Sequence, residues 1–227
     1  MTETVSPDDA SPENAARPAP RTAEVTAYLA ARMCHDFISP ASAIVSGLDL
    51  LEDPSAQDMR EDAMNLIASS ARKLADMLSF TRVAFGASAS AETFDVRDLE
   101  KLAQGVFAHM RAGLDWRQGP ASVNKPAARA LLNLAQMAGA ALPMGGDVVV
   151  HTLEGDGVLD IRVEAKGARP RLRPEVIGGL RGEPHGEGLH GHWVQAYYVS
   201  QFVADAGGQV AVEPAEELIV FSARLPL

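Results

Sequence analysis

Residues 23–51 read AEVTAYLAARMCHDFISPASAIVSGLDLL, an alanine-rich stretch whose apolar side chains recur every three or four positions. That period predicts one long amphipathic helix, which Pro40 is expected to interrupt and bend. A helix rotates by about 100° per residue, so the large apolar side chains of this stretch share one face. These side chains are Met33, Phe37, Ile44, Leu48 and Leu51.

A second helix follows after a short connection. Residues 55–84 again place apolar side chains at a helical spacing. Ser55, with Asp58 three positions on, is typical of a capping box that opens a helix. Two long helices joined by a short turn predict an antiparallel helical hairpin over residues 22–85.

The opposite face of the first helix is polar and has a histidine at its centre. The residues within about 40° of His35 on the helix are Ser39, Ser42, Ser46 and Asp49. An imidazole that points to water from a rigid helix can meet a partner. It is a competent nucleophile near neutral pH because a useful fraction of it is unprotonated. Most exposed helical histidines have no such role, so position alone leaves an incidental histidine as the alternative.

Three neighbours of His35 favour a functional role. Asp36 follows directly and can orient or polarise the ring, and Pro40 lies five residues on. Ile38 is an apolar residue about 60° from His35 on the outward side. A docking surface requires such a residue, although Ile38 could equally be an ordinary exposed aliphatic side chain.

The apolar stripe of the hairpin is expected to be buried against another surface. Two helices cannot enclose their own apolar faces, whereas four can. Because the chain contains no other hairpin of helices, we expect a second copy of this protein to complete a four-helix bundle as a homodimer. The alternative is that the C-terminal part of the chain covers the stripe.

The remainder of the chain divides into a tail, a linker and a second domain. Residues 1–21 hold four prolines and four acidic residues and predict a disordered tail. Residues 86–93 form a linker of mostly small residues. Residues 94–227 predict helices and hairpin strands, and therefore an α/β sandwich within an α+β protein. The predicted helices are 96–111, 126–141 and 191–206, and the predicted strands are 147–153, 158–165, 209–213 and 218–225.

Composition excludes several functions. The chain carries 30 acidic against 20 basic residues, a net charge of −10, so we expect no nucleic-acid partner. A single cysteine, Cys34, excludes a disulfide framework and a cysteine-cluster metal site, and a reducing cytosol suits it. His185, His190 and His192 lack a carboxylate ligand pattern, which argues against zinc. No segment predicts a signal peptide or a membrane span, so we expect a cytoplasmic protein with no membrane contact, metal or cofactor.

Several segments resemble sensor histidine kinases. Residues 35–44, HDFISPASAI, resemble that family's H-box, which lies on the first helix of a dimerising helical hairpin. Residues 93–99, TFDVRDL, resemble the opening of its ATP-binding domain. Residues 131–138, LLNLAQMA, are similar to its N-box helix, and residues 186–190, GEGLH, to its last glycine box. The resemblance implies that residues 94–227 have the fold of a histidine kinase ATPase domain.

The magnesium and phosphate contacts of that family are altered here. The N-box asparagine that holds magnesium in the family aligns with Met137, although Asn133 is kept. His190 stands where the last glycine box has a glycine that lets backbone amides approach phosphate.

The adenine contact is altered as well. In residues 163–169, VEAKGAR, Ala165 takes the place of the adenine-reading carboxylate and Arg169 that of a glycine. A shift of one residue in the alignment would instead offer Glu164 as the acid. Without that shift, the resemblance implies a kinase-like architecture that keeps its phosphoacceptor and has lost its nucleotide site.

This combination resembles the ChpT-type histidine phosphotransferases of alphaproteobacterial cell-cycle phosphorelays. The resemblance implies that the receiver domain of a hybrid histidine kinase passes a phosphoryl group to His35, which passes it to the aspartate of a response regulator. The receiver would supply the magnesium ion, and Asp36 would orient the imidazole. The candidate partner-binding residues are Arg32, Ile38, Ser39 and Ser42, of which Arg32 and Ser39 could touch the phosphoryl oxygens or could simply be solvated.

Two other functions stay open at this point. The chain could be an ATP-dependent histidine kinase with a divergent pocket, or a non-catalytic dimeric scaffold in which His35 is incidental. The basic stretch 169–173 either contacts an acidic receiver surface or is a solvated loop.

Overall fold

The computed structural model describes residues 20–86, 92–184 and 190–227, without the side chain of His190. All but the last two residues of the predicted tail, most of the predicted linker and the greater part of the glycine box at 186–190 lie outside the described residues.

The N-terminal part is the predicted hairpin of two long helices, α1 (Thr22–Glu52) and α2 (Arg60–Ala84). The expected interruption at Pro40 is not seen. One missing backbone hydrogen bond does not end a helix of 31 residues that packs on both sides of the proline. Gly47 lets the two helices approach closely, since a Cβ there would lie 2.6 Å from Cγ1 of Ile67.

The start of α2 differs from the prediction. Ser55 does not cap the helix, because its backbone N–H and its Oγ both donate to Oδ1 of Asp53, at 2.8 and 2.7 Å. These hydrogen bonds lower the pKa of Asp53. A single turn of 3-10 helix (Gln57–Met59) follows, and α2 begins at Arg60. The Ser55 prediction is wrong because a turn closed by Asp53 competes for the same serine.

The C-terminal part is a set of helices packed against a five-stranded sheet. Its elements in chain order are β1 (Thr93–Asp95), α3 (Val96–Phe107), β2 (Ala112–Trp116), β3 (Ser122–Asn124), α4 (Lys125–Ala140), β4 (Gly146–Gly155), β5 (Val158–Lys166), α5 (Pro174–Leu180), α6 (His190–Asp205), β6 (Gln209–Pro214) and β7 (Leu218–Pro226). The sheet has the order β2-β4-β5-β7-β6, in which β2 is parallel to β4 and the other pairs are antiparallel. Strands β1 and β3 form a separate antiparallel pair.

This arrangement confirms the α+β class, although the sequence missed several short elements. The helix predicted over 96–111 ends at Phe107, and the chain then forms β2 along β4. Strands β1 and β3 and the short helix α5 were also not predicted. Helix α4 begins at Lys125, one residue before the predicted start, because the side chain of Asn124 caps it by accepting from the Ala127 N–H at 3.0 Å.

The hairpin and the sheet domain share a hydrophobic core. Phe80 and Ala84 of α2 are buried in the same cluster as the sheet and the helices that cover it. The first turns of α1 pack on α6 through an apolar cluster of Val25, Tyr28, Leu29, Trp193, Val194 and Tyr197. The C-terminal domain therefore covers one end of the hairpin. Apolar side chains towards the other end stay exposed: Val45, Leu48, Met59, Met64 and Leu66.

Within the described ranges, no helix combines the length and the apolar character needed to cross a bilayer.

Candidate functional site

His35 projects from the middle of α1 into solvent, with its side chain 86% exposed. Its Nδ1 lies 3.3 Å from Oδ1 of Asp36, the next residue in the chain. An ionised carboxylate only accepts hydrogen bonds, so in this contact Nδ1 carries the proton. When the imidazole is neutral, the other ring nitrogen, Nε2, then keeps its lone pair and can attack an electrophile.

Arg32 lies one turn before Asp36 and is turned towards the C-terminal domain. Its Nη1 donates to the carbonyl oxygen of Gly191 in the first turn of α6. Its Nε lies 3.7 Å from Oδ2 of Asp36, and its side chain is only 17% exposed. Burial lowers the pKa of the Arg32 guanidinium, and the Asp36 carboxylate opposes that shift. The sequence placed Arg32 with the outward residues because it could not show that α6 packs beside it.

The other predicted partner-binding residues surround His35 on the outward side. Ile38 is 61% exposed, so its apolar side chain is accessible to a partner. Ser39 and Ser42 are exposed as well. Ile38, Ser39 and Ser42 thus form an accessible surface around the imidazole, and their contact with a partner stays a prediction.

Asn133, the asparagine kept from the N-box, is a structural residue in this fold. It is fully buried, and its Nδ2 donates to the carbonyls of Ala84 and Arg129, both at 2.9 Å. Its Oδ1 accepts from Nε2 of Gln195 at 3.0 Å. Asn133 therefore ties α4 to the end of α2 and to α6, and both the nitrogen and the oxygen of its amide take part in these hydrogen bonds. The sequence could not indicate this role because the partners lie 49 and 62 positions away.

The position that aligns with the family's adenine-reading carboxylate holds an alanine. Ala165 is fully buried in the core, on the side of β5 that faces the helices. Glu164 points to the opposite side of the sheet, since neighbouring residues in a strand alternate. There it forms ion pairs with Arg162 at 2.7 Å and Lys166 at 2.6 Å. Hydrogen bonds from Lys166 and then Arg162 lower the pKa of Glu164. The alternative alignment with Glu164 as the acid is therefore excluded.

The space beside Met137 is small and basic. A cavity of about 60 Å³ lies between α1, α4, α5 and α6, whereas pockets that bind drug-sized ligands enclose about 300–1,000 Å³. Among the described residues, its lining includes Arg32, Arg171, Arg173 and His192 and no carboxylate. Burial, followed by the charges of Arg32 and Arg173, lowers the pKa of His192. In the part of the chain that the structure describes, no three side chains of the metal-binding types lie close enough to hold an ion.

Comparison with known proteins identifies the family. The model of the histidine phosphotransferase C-terminal domain matches residues 96–218, more than half of the chain. The chain therefore belongs to the histidine phosphotransferase family. It is 35% identical over 201 residues to the protein phosphotransferase ChpT of Brucella abortus (strain 2308), covering 88% of this chain and 95% of that protein.

One solved structure agrees with this assignment. A bacterial phosphotransferase matches with a TM-score of 0.81 and 32% identity, over 92% of this chain and 100% of that one. A mycobacterial sensor histidine kinase, MprB, matches with a TM-score of 0.47 and 21% identity, over 60% of this chain and 96% of that one. The resemblance to histidine phosphotransferases stated from the sequence is confirmed by the family match and by the first of these structures.

Proposed function

We propose that this protein is a phosphocarrier in which His35 accepts a phosphoryl group from a receiver aspartate and passes it to another receiver. The observation that carries the proposal is the exposed His35 imidazole, paired through Nδ1 with Asp36, in a member of the histidine phosphotransferase family. Nε2 attacks the phosphorus of the acyl phosphate, an N–P bond forms, and the aspartate carboxylate leaves. The imidazole gains positive charge in this step, and Asp36 lies where it stabilises that charge.

The proposal includes the partners and the setting implied by the resemblance. The donor is the receiver domain of a hybrid histidine kinase, and the acceptors are response regulators of a cell-cycle phosphorelay in the cytoplasm. The receiver supplies the aspartate and a magnesium ion, so this chain needs only to present a well-aimed imidazole. The exposed apolar side chains of α1 and α2 support a homodimer through the hairpin, as a second copy would bury them.

The proposal also excludes ATP as the phosphoryl donor. The amide of Asn133 forms hydrogen bonds with other parts of the fold, and Ala165 has no carboxylate. The cavity beside Met137 is smaller than a nucleotide needs. These three observations favour a phosphocarrier over a histidine kinase with a divergent pocket.

Calorimetric titration with Mg-ATP tests this exclusion. We expect a Kd no tighter than roughly millimolar, the level left when the magnesium and adenine contacts are both missing. A sensor histidine kinase titrated in the same buffer is the positive control. A micromolar Kd for this protein would support the kinase and contradict the proposed loss of the nucleotide site.

Ile38→Ala tests the docking surface. The substitution leaves the imidazole and Asp36 unchanged but removes the exposed apolar side chain beside them. If Ile38 is an anchor of the receiver interface, binding weakens by about 1–2 kcal/mol, which raises Kd by about 5- to 30-fold. Titration with a receiver domain that phosphorylates the protein measures the change.

The matched control is Leu153→Ala. Leu153 is another exposed aliphatic residue, on β4 and outside the hairpin. Its replacement should leave the Kd for the receiver unchanged. Equal Kd values for the wild type and Ile38→Ala would place the receiver contact elsewhere.

A further inference from the structure

Four groups form a continuous polar chain from the C-terminal domain to the exposed imidazole. The carbonyl of Gly191, at the start of α6, accepts from Nη1 of Arg32. Nε of Arg32 lies 3.7 Å from one carboxylate oxygen of Asp36, and the other oxygen lies 3.3 Å from Nδ1 of His35. The chain starts in one domain and ends at the reactive residue of the other.

The geometry of Arg32 suits holding a neighbour better than touching a phosphoryl group. The guanidinium is largely buried and directed at α6, whereas the imidazole of His35 is directed at solvent. A planar guanidinium with donors on separate nitrogens can serve a carbonyl and a carboxylate at the same time. A largely buried cation is stable only when such acceptors compensate its lost hydration. Arg32 is therefore fixed by α6 and presents a fixed charge to Asp36.

The carboxylate of Asp36 needs this support. Its side chain is 36% exposed, so water competes with His35 for its oxygens. The guanidinium of Arg32, which lies beside Oδ2, restrains the Asp36 side chain in the rotamer in which Oδ1 faces Nδ1 of His35. Without that cation, the carboxylate is free to rotate towards solvent, and the imidazole loses the contact that selects its tautomer.

We propose that Arg32 is a positioning residue, which uses α6 as an anchor to hold Asp36 against Nδ1 and so keeps Nε2 of His35 as the nucleophile. This inference rests on the proposed function of His35. It gives the C-terminal domain, for which we propose the loss of nucleotide binding, a role in aligning the phosphoacceptor. It also differs from the expectation that Arg32 contacts the partner or the phosphoryl oxygens.

The first test is the tautomer of His35, read from the ¹⁵N shifts of the imidazole in the full-length protein without a receiver. In the wild type we expect the form protonated at Nδ1 to dominate the neutral state. In Arg32→Met, which keeps the length of the side chain and removes its charge, the share of the form protonated at Nε2 should rise. An unchanged tautomer ratio in a folded Arg32→Met variant would overturn the inference.

Leu29→Ala is the matched control for loosened packing. Leu29 lies one turn before Arg32 and contacts the Trp193 and Tyr197 cluster of α6. Its truncation should lower the melting temperature but leave the tautomer ratio and the transfer rate unchanged. If Leu29→Ala shifts the tautomer as Arg32→Met does, the packing of α1 on α6, and not the charge of Arg32, controls His35.

The second test is the kinetics of transfer from a phosphorylated receiver. Arg32→Met should lower the rate at saturating receiver by roughly tenfold. Losses of this size follow the removal of a hydrogen-bond partner that orients a metal-ligating histidine. Arg32→Met should leave KM unchanged, because Arg32 does not touch the receiver. Arg32→Lys keeps the positive charge but replaces the planar guanidinium by a single ammonium group, so it should recover part of the rate. A raised KM with an unchanged maximal rate would instead show a receiver contact.

A double-mutant cycle separates action through Asp36 from direct action. Asp36→Asn alone should slow transfer, and adding Arg32→Met should slow it no further. Additive losses would overturn the inference, since Arg32 would then act on the phosphoryl group or on the receiver itself. The tautomer measurement needs no phosphoryl transfer, so it stands or fails independently of the proposed function.

Discussion

We expect His35→Ala to abolish phosphoryl transfer to the protein. The substitution removes the imidazole of α1 that is both exposed and paired with a carboxylate. The hydroxyls of Ser39 and Ser42 lie on the same face, but a serine without a base is a poor nucleophile at neutral pH. The measurement is the labelling of this protein by a receiver that carries a radioactive phosphoryl group on its aspartate. In the wild type, the label should be labile in acid and stable in base, as expected for phosphorus on a histidine nitrogen.

The control for this experiment is Cys34→Ser. Cys34 precedes His35, is exposed, and carries a thiol that is itself a nucleophile. Its replacement should leave labelling intact, which would show that the neighbouring thiol does not carry the phosphoryl group. If His35→Ala still takes the label, the phosphocarrier proposal fails. If the wild type takes no label from any receiver that binds it, the dimeric scaffold with an incidental histidine becomes the better description.

The reactive face of α1 could be derived from the sequence because it depends on local geometry. A rotation of about 100° per residue was enough to separate His35 and the serines from the apolar stripe. The exposure of His35 and Ile38 agrees with that derivation. Caps and turns are also local, but neighbouring groups can compete for them, and this explains why Asp53 prevented the predicted cap at Ser55.

What the sequence could not show were contacts between segments far apart in the chain. Arg32 lies within about 60° of His35 on the helix, yet α6 turns it inwards through a residue 159 positions away. The N-box segment LLNLAQMA gives no sign that Asn133 holds α2 and α6 in place. Strand β2 was missed because AGLDW has no clear alternation and becomes a strand by pairing with β4. In each case the identity of the residue was visible, but its partner was not.

We expect Leu48→Asp to convert the proposed homodimer into a monomer. Leu48 belongs to the apolar stripe of α1, and the residue stays 47% exposed in the single chain although the hairpin packs against the C-terminal domain. A second hairpin would bury it. In a two-fold symmetric bundle, each substitution occurs twice, so two unpaired carboxylates would enter the same core. Burying an unpaired charge costs several kcal/mol, enough to dissociate a dimer at micromolar concentration.

Sedimentation velocity at micromolar concentration measures this change, with Leu153→Asp as the matched control. The control introduces the same carboxylate at an exposed leucine of β4, outside the hairpin, and should sediment as the wild type does. Because Leu48 is already partly exposed in the single chain, the substitution should leave each folded chain intact, which circular dichroism can verify. A wild type with the mass of one chain would contradict the homodimer. The exposed side chains of Val45, Leu48 and Met64 would then have to be covered by a different partner, and the receiver that docks beside His35 would be the first to test.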